Sequence, residues 1–79
     1  MTKHDLALWI VDLTTNDAMR NVLERFAEIS PDSESCSLVS HVLLKRKVST
    51  VESVYTWKEL CRLKTVILFV RKHCLEFYP

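Results

Sequence analysis

The chain contains no glycine among its 79 residues, and this absence narrows the fold class at once. Glycine is the favoured residue of tight β-hairpin turns and of left-handed helix ends. Its absence weighs against an all-β fold and is compatible with helices that end by other means. Only two prolines are present, so few positions forbid a helix. The composition therefore favours an all-α domain.

Long apolar runs are missing as well. The run over residues 66–70, like every other in the chain, is far shorter than the roughly 18 residues that a bilayer-spanning helix needs. The first residues lead into a helical pattern that contains Asp5 and Asp12, and an export signal would not tolerate these charges. We therefore expect a cytoplasmic protein that has neither a signal peptide nor a transmembrane segment.

The cysteine pattern points to free thiols. Three cysteines cannot all pair internally, and no C-x-x-C or H-x-x-H spacing is available to anchor zinc. Cys61 and Cys74 fall on the apolar face of a predicted helix, where free cysteine packs as a small hydrophobe. The sequence also lacks a glycine-rich phosphate loop and a G-x-S-x-G elbow. We expect no metal, no cofactor and no enzymatic activity.

Length and composition indicate one folded domain over residues 1–79. The chain is 48% hydrophobic and 27% charged, which is too apolar for a disordered segment. A core of this size supplies a net stability of only about 3–5 kcal/mol unless something reinforces it. A protein partner or a second copy of the chain would provide such reinforcement.

Charge is distributed unevenly, although the net charge is only +1. Residues 1–41 carry three cations and seven anions, and residues 42–79 carry eight cations and three anions, so the two parts have net charges of −4 and +5. This asymmetry is typical of proteins that bind nucleic acid, an acidic protein surface or another copy of themselves. It is equally compatible with two halves that face each other.

Apolar spacing predicts the first three helices. A first helix presents Leu6, Trp9, Ile10 and Leu13, and a second, capped by Thr15 or Asn16, repeats the i, i+3, i+4, i+7 spacing. Residues 30–35 form a polar loop, in which a proline disfavours helix at the residue before it. A third helix is predicted over residues 36–46, with its buried side chains at Val39, Val42 and Leu43.

Two capping boxes predict the remaining helices. Ser49-x-x-Glu52 would start a short helix over residues 50–55, and Thr56-x-x-Glu59 a long one over residues 57–75. Residues 65–70 would also suit a β-strand, but no turn signal separates them from their neighbours, so helix is preferred. The result is a helical bundle of about four to five helices, whose long last helix is central and carries an apolar seam at Leu60, Leu63, Ile67, Val70 and Cys74.

Residues 41–60 partly resemble a helix-turn-helix motif that binds DNA. Lys47 stands where the turn usually has glycine, and one extra residue rotates Val54 by about 100° off the core face. The candidate recognition helix offers no Arg, Asn or Gln to read base edges, although Lys45 and Arg46 could contact phosphates. A small DNA-binding transcriptional regulator is therefore the alternative function.

A protein-binding surface is the preferred interpretation of the basic stretch. Arginine and aromatic side chains are enriched in protein interfaces. His41 and Lys45 are expected one turn apart on the same helix face, and Lys58 and Arg62 have the i, i+4 spacing beside Trp57. The predicted partner-binding residues are His41, Lys45, Arg46, Tyr55, Trp57, Lys58 and Arg62.

The segments "SLVSHVLLKRKV" and "WKELCRLK" in a short, glycine-free helical chain resemble the accessory lysis-inhibition proteins of T-even bacteriophages, the rIII antiholins. The resemblance rests on size, character and the position of His41 before a basic stretch, and it transfers no site residues. It implies a non-enzymatic regulator in the host cytosol that binds the cytoplasmic segment of the holin. Such binding would delay pore formation and host lysis.

Overall fold

Helices account for nearly all of residues 1–77, which is the part of the chain that the computed structural model describes. Within this part there are six helices and no strand, which confirms the all-α class and the helical state of residues 65–70. The helices are α1 (Lys3–Thr14), α2 (Asp17–Ile29), α3 (Ser33–Val42), α4 (Val48–Val54), α5 (Trp57–Lys72) and α6 (Cys74–Phe77).

Helix α5 is the central helix of the domain, as its apolar seam predicts. It packs against α1, α2, α3 and α6. Its side chains Leu60, Leu63, Ile67 and Val70 are completely buried. Cys61 and Cys74, expected in the core, are only half-buried and pack against the core, Cys61 from α5 and Cys74 from α6.

The end of α5 differs from the expected limit at residue 75. The helix stops at Lys72, and the backbone of His73 leaves the helical region. The short helix α6 then brings the Phe77 ring to 5.6 Å from the ring of Phe26 in an edge-to-face contact. Burying Phe77 against α2 in this way requires a change of chain direction that one straight helix would not allow.

Helix α3 also lies earlier than expected, at residues 33–42 instead of 36–46. Asp32 starts it, because its carboxylate accepts hydrogen bonds from the Ser35 backbone N–H at 3.2 Å and from the Ser35 hydroxyl at 2.7 Å. At the other end, the Arg20 guanidinium donates to the Leu43 carbonyl oxygen at 2.6 Å, so α2 satisfies a free carbonyl of α3. The basic residues 45–47 consequently lie in the connection between α3 and α4 and not on a helix.

One of the two predicted capping boxes is present and the other is not. The Thr56 hydroxyl accepts from the Glu59 N–H at 3.2 Å, and the Glu59 carboxylate accepts from the Thr56 N–H at 2.9 Å. The prediction of a Ser49–Glu52 box is wrong, because α4 begins one residue before Ser49. Its cap position is Lys47, whose side chain makes no capping hydrogen bond. Val51 of α4 is completely buried, and α4 packs chiefly against α1.

Candidate partner-binding cleft

A cleft of about 590 Å³ lies where α3, the end of α4 and the start of α5 meet. Three of the seven predicted partner-binding residues, His41, Lys45 and Tyr55, line it together. The full lining is Glu34, Ser37, Leu38, His41, Lys45, Val54, Tyr55 and Glu59.

Local structure explains why these residues share one wall. Glu34, Ser37, Leu38 and His41 have the i, i+3, i+4, i+7 spacing and therefore lie on one face of α3. Lys45 reaches the same cleft from the connection after α3, where its backbone N–H donates to the Val42 carbonyl at 3.0 Å. Lys45 was expected on α3 itself. It shares the cleft with His41 because of the turn that follows α3, and not because of helical spacing.

Tyr55 forms the inner part of the cleft. It is the last residue before the turn into α5, its backbone is extended, and its side chain is only 5% exposed. Its hydroxyl is buried and has no hydrogen-bond partner among residues 1–77. Burial raises the pKa of the phenol, and the nearby Glu59 charge raises it further, so the hydroxyl is protonated at neutral pH and remains a donor.

The acceptor groups of the cleft already have partners. Glu59 accepts the hydrogen bond from Thr56 that completes the capping box. Glu34 Oε1 lies 3.6 Å from Arg62 Nη1 and forms an ion pair with it. By contrast, the side chains of His41 and Lys45 make no hydrogen bond or ion pair within the described part of the chain. The cleft therefore combines a histidine and a lysine that have no internal partner with two carboxylates that have one internal partner each.

Arg62 holds α5 to the start of α3 instead of entering the cleft. Its guanidinium lies 3.3 Å from Asp32 Oδ2 and 3.3 Å from the Ser35 hydroxyl oxygen, in addition to the pair with Glu34. The pKa of Asp32 is lowered, chiefly by the hydrogen bonds from the Ser35 hydroxyl and backbone and then by the Arg62 charge. Arg62 thus makes internal contacts and also lines a second cavity of about 530 Å³, together with Phe69.

The other predicted residues lie at the rim. Arg46, Trp57 and Lys58 are exposed, and none of them lines the cleft. Arg46 follows Lys45 in the chain, and the other two are the first residues of α5, directly after the turn that contains Tyr55. Trp57 exposes 47% of its surface, which is high for a tryptophan and suits a contact residue.

Sequence reasoning missed five residues of the lining, and a signal for four of them was present. An earlier start of α3 at the Asp32 cap would have placed Glu34, Ser37 and Leu38 on the face of His41. Glu59 was recognised only as a capping residue. Val54 had been expected off the core face, and it is indeed 54% exposed, at the mouth of the cleft.

The geometry of α4 differs from that of a recognition helix. It packs mainly on α1 and makes little contact with α3, whereas the two helices of a helix-turn-helix motif pack against each other. Its seven residues include no Arg, Asn or Gln.

Neither a metal cluster nor a membrane span is found in the described part of the chain. Among residues 1–77, no three His, Cys, Asp or Glu side chains are grouped so that they could hold a metal ion. In the same range, no helix combines the length and apolar character required to cross a bilayer.

Comparison with known proteins assigns no family. No protein-family model matches the chain, and no curated protein or solved structure matches it either.

Proposed function

We propose that the chain is a non-enzymatic regulatory protein that acts by binding another protein through the cleft of His41, Lys45 and Tyr55. The observation that carries this proposal is a cleft of about 590 Å³ in which the side chains of His41 and Lys45 make no hydrogen bond or ion pair within residues 1–77. The exposed Trp57 at the rim adds apolar contact area.

The partner that the sequence suggests is the cytoplasmic segment of a phage holin, by resemblance to the rIII antiholins. Holins assemble in order to open a lesion in the membrane, so a ligand that prefers the unassembled form delays lysis. A tenfold higher affinity for the unassembled than for the assembled holin corresponds to about 1.4 kcal/mol, which one or two good contacts supply. No chemical step is needed, and the protein would act in the host cytosol.

Affinity capture tests this function. Tagged protein is used to capture a holin from cells that express it, and the captured holin is quantified against the same protein carrying Lys45→Glu and Arg46→Glu. The proposal expects capture by the wild type and a large loss with the double variant. Equal capture by both, or none by either, would contradict it.

A duplex-DNA mobility shift on the same preparations tests the alternative function. DNA binding through phosphate contacts weakens steeply as salt rises, and binding of a protein segment in the cleft is not expected to do so. We expect no retained duplex at physiological salt, because the recognition position on α4 lacks base-reading side chains. A specific shift at that salt would favour the regulator of transcription.

A further inference from the structure

The acidic and basic parts of the chain do not neutralise each other within one copy. Among the eight cations of the basic part, residues 42–79, only Arg62 forms ion pairs with carboxylates of the acidic part, residues 1–41. The other cations of the basic part have no ion pair within the described residues. The charge asymmetry is therefore present on the surface of the folded chain, where a second molecule can meet it.

One exposed strip of α1 combines apolar and acidic side chains. Asp5, Leu8 and Asp12 have the i, i+3, i+7 spacing of one helix face, and all three are exposed. Together with Met1 and Trp9 they line a groove of about 450 Å³. Neither carboxylate has an ion pair within residues 1–77. We call Asp5, Leu8 and Asp12 the α1 strip.

A strip of α5 has the complementary pattern. Lys64, Leu68 and Lys72 follow one another at intervals of four residues, so they lie along one side of the helix with the apolar side chain between the two cations. Leu68 is 45% exposed, and neither lysine has an ion pair in the described part of the chain. We call these three residues the α5 strip.

The two strips also agree in length. At a rise of 1.5 Å per residue, the carboxylates of the α1 strip are about 10 Å apart along the helix and the ammonium groups of the α5 strip about 12 Å apart. An acidic–apolar–acidic row of one copy thus matches a basic–apolar–basic row of another.

Only the pairing of an α1 strip with an α5 strip brings opposite charges together. Two α1 strips would set carboxylate against carboxylate, and two α5 strips would set lysine against lysine, which is unfavourable in an interface. Within one copy α1 and α5 pack side by side. A twofold axis can therefore form both α1–α5 pairings at once, and such an interface closes as a dimer.

We propose that the chain forms a twofold dimer in which the α1 strip of each copy docks on the α5 strip of the other. Leu8 packs on Leu68, and the carboxylates of the α1 strip pair with the two lysines. The second copy is the occupant because the chain itself carries the complementary row of charges. Neither strip contains a residue of the cleft, so this inference does not depend on the proposed function.

Sedimentation equilibrium of the full chain, at concentrations up to the millimolar range, tests the dimer. We expect the mass to rise from one chain to two and no further, and the association to weaken as salt screens the charges. A mass of one chain at millimolar concentration, or a mass that continues to rise beyond two chains, would overturn the proposal.

Leucine variants test the apolar centre of each strip. Leu8→Ser and Leu68→Ser should each raise the dissociation constant of the dimer roughly tenfold or more, because a twofold dimer contains each change twice. Leu44→Ser is the control, since Leu44 is 73% exposed and belongs to neither strip, and it should leave the constant unchanged. Far-UV circular dichroism should show a helical spectrum for all three. The same dissociation constant for all three variants would contradict the assignment of the strips.

Charge variants test the pairing. Asp12→Lys places a cation opposite the lysines of the α5 strip, and Lys64→Glu with Lys72→Glu places two carboxylates opposite the α1 strip. Each variant alone should be monomeric at concentrations where the wild type is a dimer. The cleft pair Lys45→Glu with Arg46→Glu changes the net charge as much as the lysine pair does, and it should dimerise like the wild type.

An equimolar mixture of these two strip variants provides the decisive result. The unchanged α1 strip of the lysine variant meets the unchanged α5 strip of Asp12→Lys, so one wild-type contact is complete in the mixed dimer. We expect dimer to reappear in the mixture, which would also show that both variants are folded. No recovery in the mixture, or a dimer that neither variant weakens, would overturn the proposal.

Discussion

Arg62 Nη2 lies 3.3 Å from Asp32 Oδ2, so the first half of α5 is fastened to the residue that starts α3. Asp32 at the same time accepts from both donors of Ser35, and Arg62 Nε donates to the Ser35 hydroxyl oxygen. This small network fixes the face of α3 that forms one wall of the cleft.

Arg62→Gln should therefore act on stability before it acts on binding. We expect a lower urea midpoint than for Arg71→Gln, which removes the same charge from an exposed residue of α5 that has no ion pair within residues 1–77. The loss should be modest, because the Arg62 pairs are partly exposed to solvent. Identical midpoints would mean that these contacts add nothing to the fold.

His4 links α1 to α4 and gives stability a pH dependence. Its Nδ1 atom lies 2.9 Å from Glu52 Oε2, and the hydrogen bond and then the charge of Glu52 raise the pKa of His4 above 6.5. This contribution is fully present below pH 6.5, the value for the unfolded chain, and is lost as pH rises through the higher folded value. NMR titration should give a midpoint above 6.5 for His4, and Glu52→Gln should bring it back towards 6.5.

Ile67→Asp should unfold the domain. Ile67 is fully buried on α5, and an unpaired buried carboxylate costs several kcal/mol, comparable with the whole stability of a domain of this size. Leu68→Asp is the control, because Leu68 is 45% exposed and points about 100° away from Ile67 around the helix. Far-UV circular dichroism should show a helical spectrum for the control alone. A folded Ile67→Asp protein would mean that the core has been misplaced.

All three thiols should react with a thiol reagent. Cys36, Cys61 and Cys74 are free and half-buried, so each should be slower in the native protein than after unfolding. Cys36 should be among the slow ones, because its Sγ lies 3.5 Å from the Ser30 carbonyl oxygen and donates to it. A count below three in the unfolded protein, or stoichiometric bound zinc, would contradict this.

Local sequence signals predicted the helices well where the interacting residues are close to each other in the chain. The apolar faces of α1, α2 and α5 and the Thr56–Glu59 box are of this kind. The Thr2–Asp5 box that starts α1 was equally local and was overlooked.

Contacts between distant residues could not be predicted in this way. Arg62 is 30 residues from Asp32, and His4 is 48 residues from Glu52. For the same reason Tyr55 was expected to be available at the surface, whereas the structure buries it together with its hydroxyl, although the residue lines the cleft. Only the three-dimensional structure distinguishes Arg62, which is ion-paired, and Tyr55, which is buried, from the predicted residues that are exposed.

Tyr55→Phe should stabilise the free protein or leave its stability unchanged. Removing a buried hydroxyl that has no partner within residues 1–77 relieves a desolvation cost of about 1–3 kcal/mol at most. Thermal unfolding should give a melting temperature equal to or above that of the wild type. A clear decrease would show that the hydroxyl has a stabilising internal contact.

The most direct measurement of partner binding is the affinity of the holin cytoplasmic segment for the full chain, determined by calorimetry with two matched double variants. Lys45→Glu with Arg46→Glu reverses the charges at the cleft, and Arg71→Glu with Lys72→Glu reverses the same number of charges on α5. We predict that the first pair weakens binding roughly tenfold or more while the helical signal and melting temperature stay nearly constant, and that the second pair leaves the affinity close to that of the wild type. Equal affinities for all three proteins, or specific duplex-DNA binding at physiological salt that the first pair abolishes, would contradict the account.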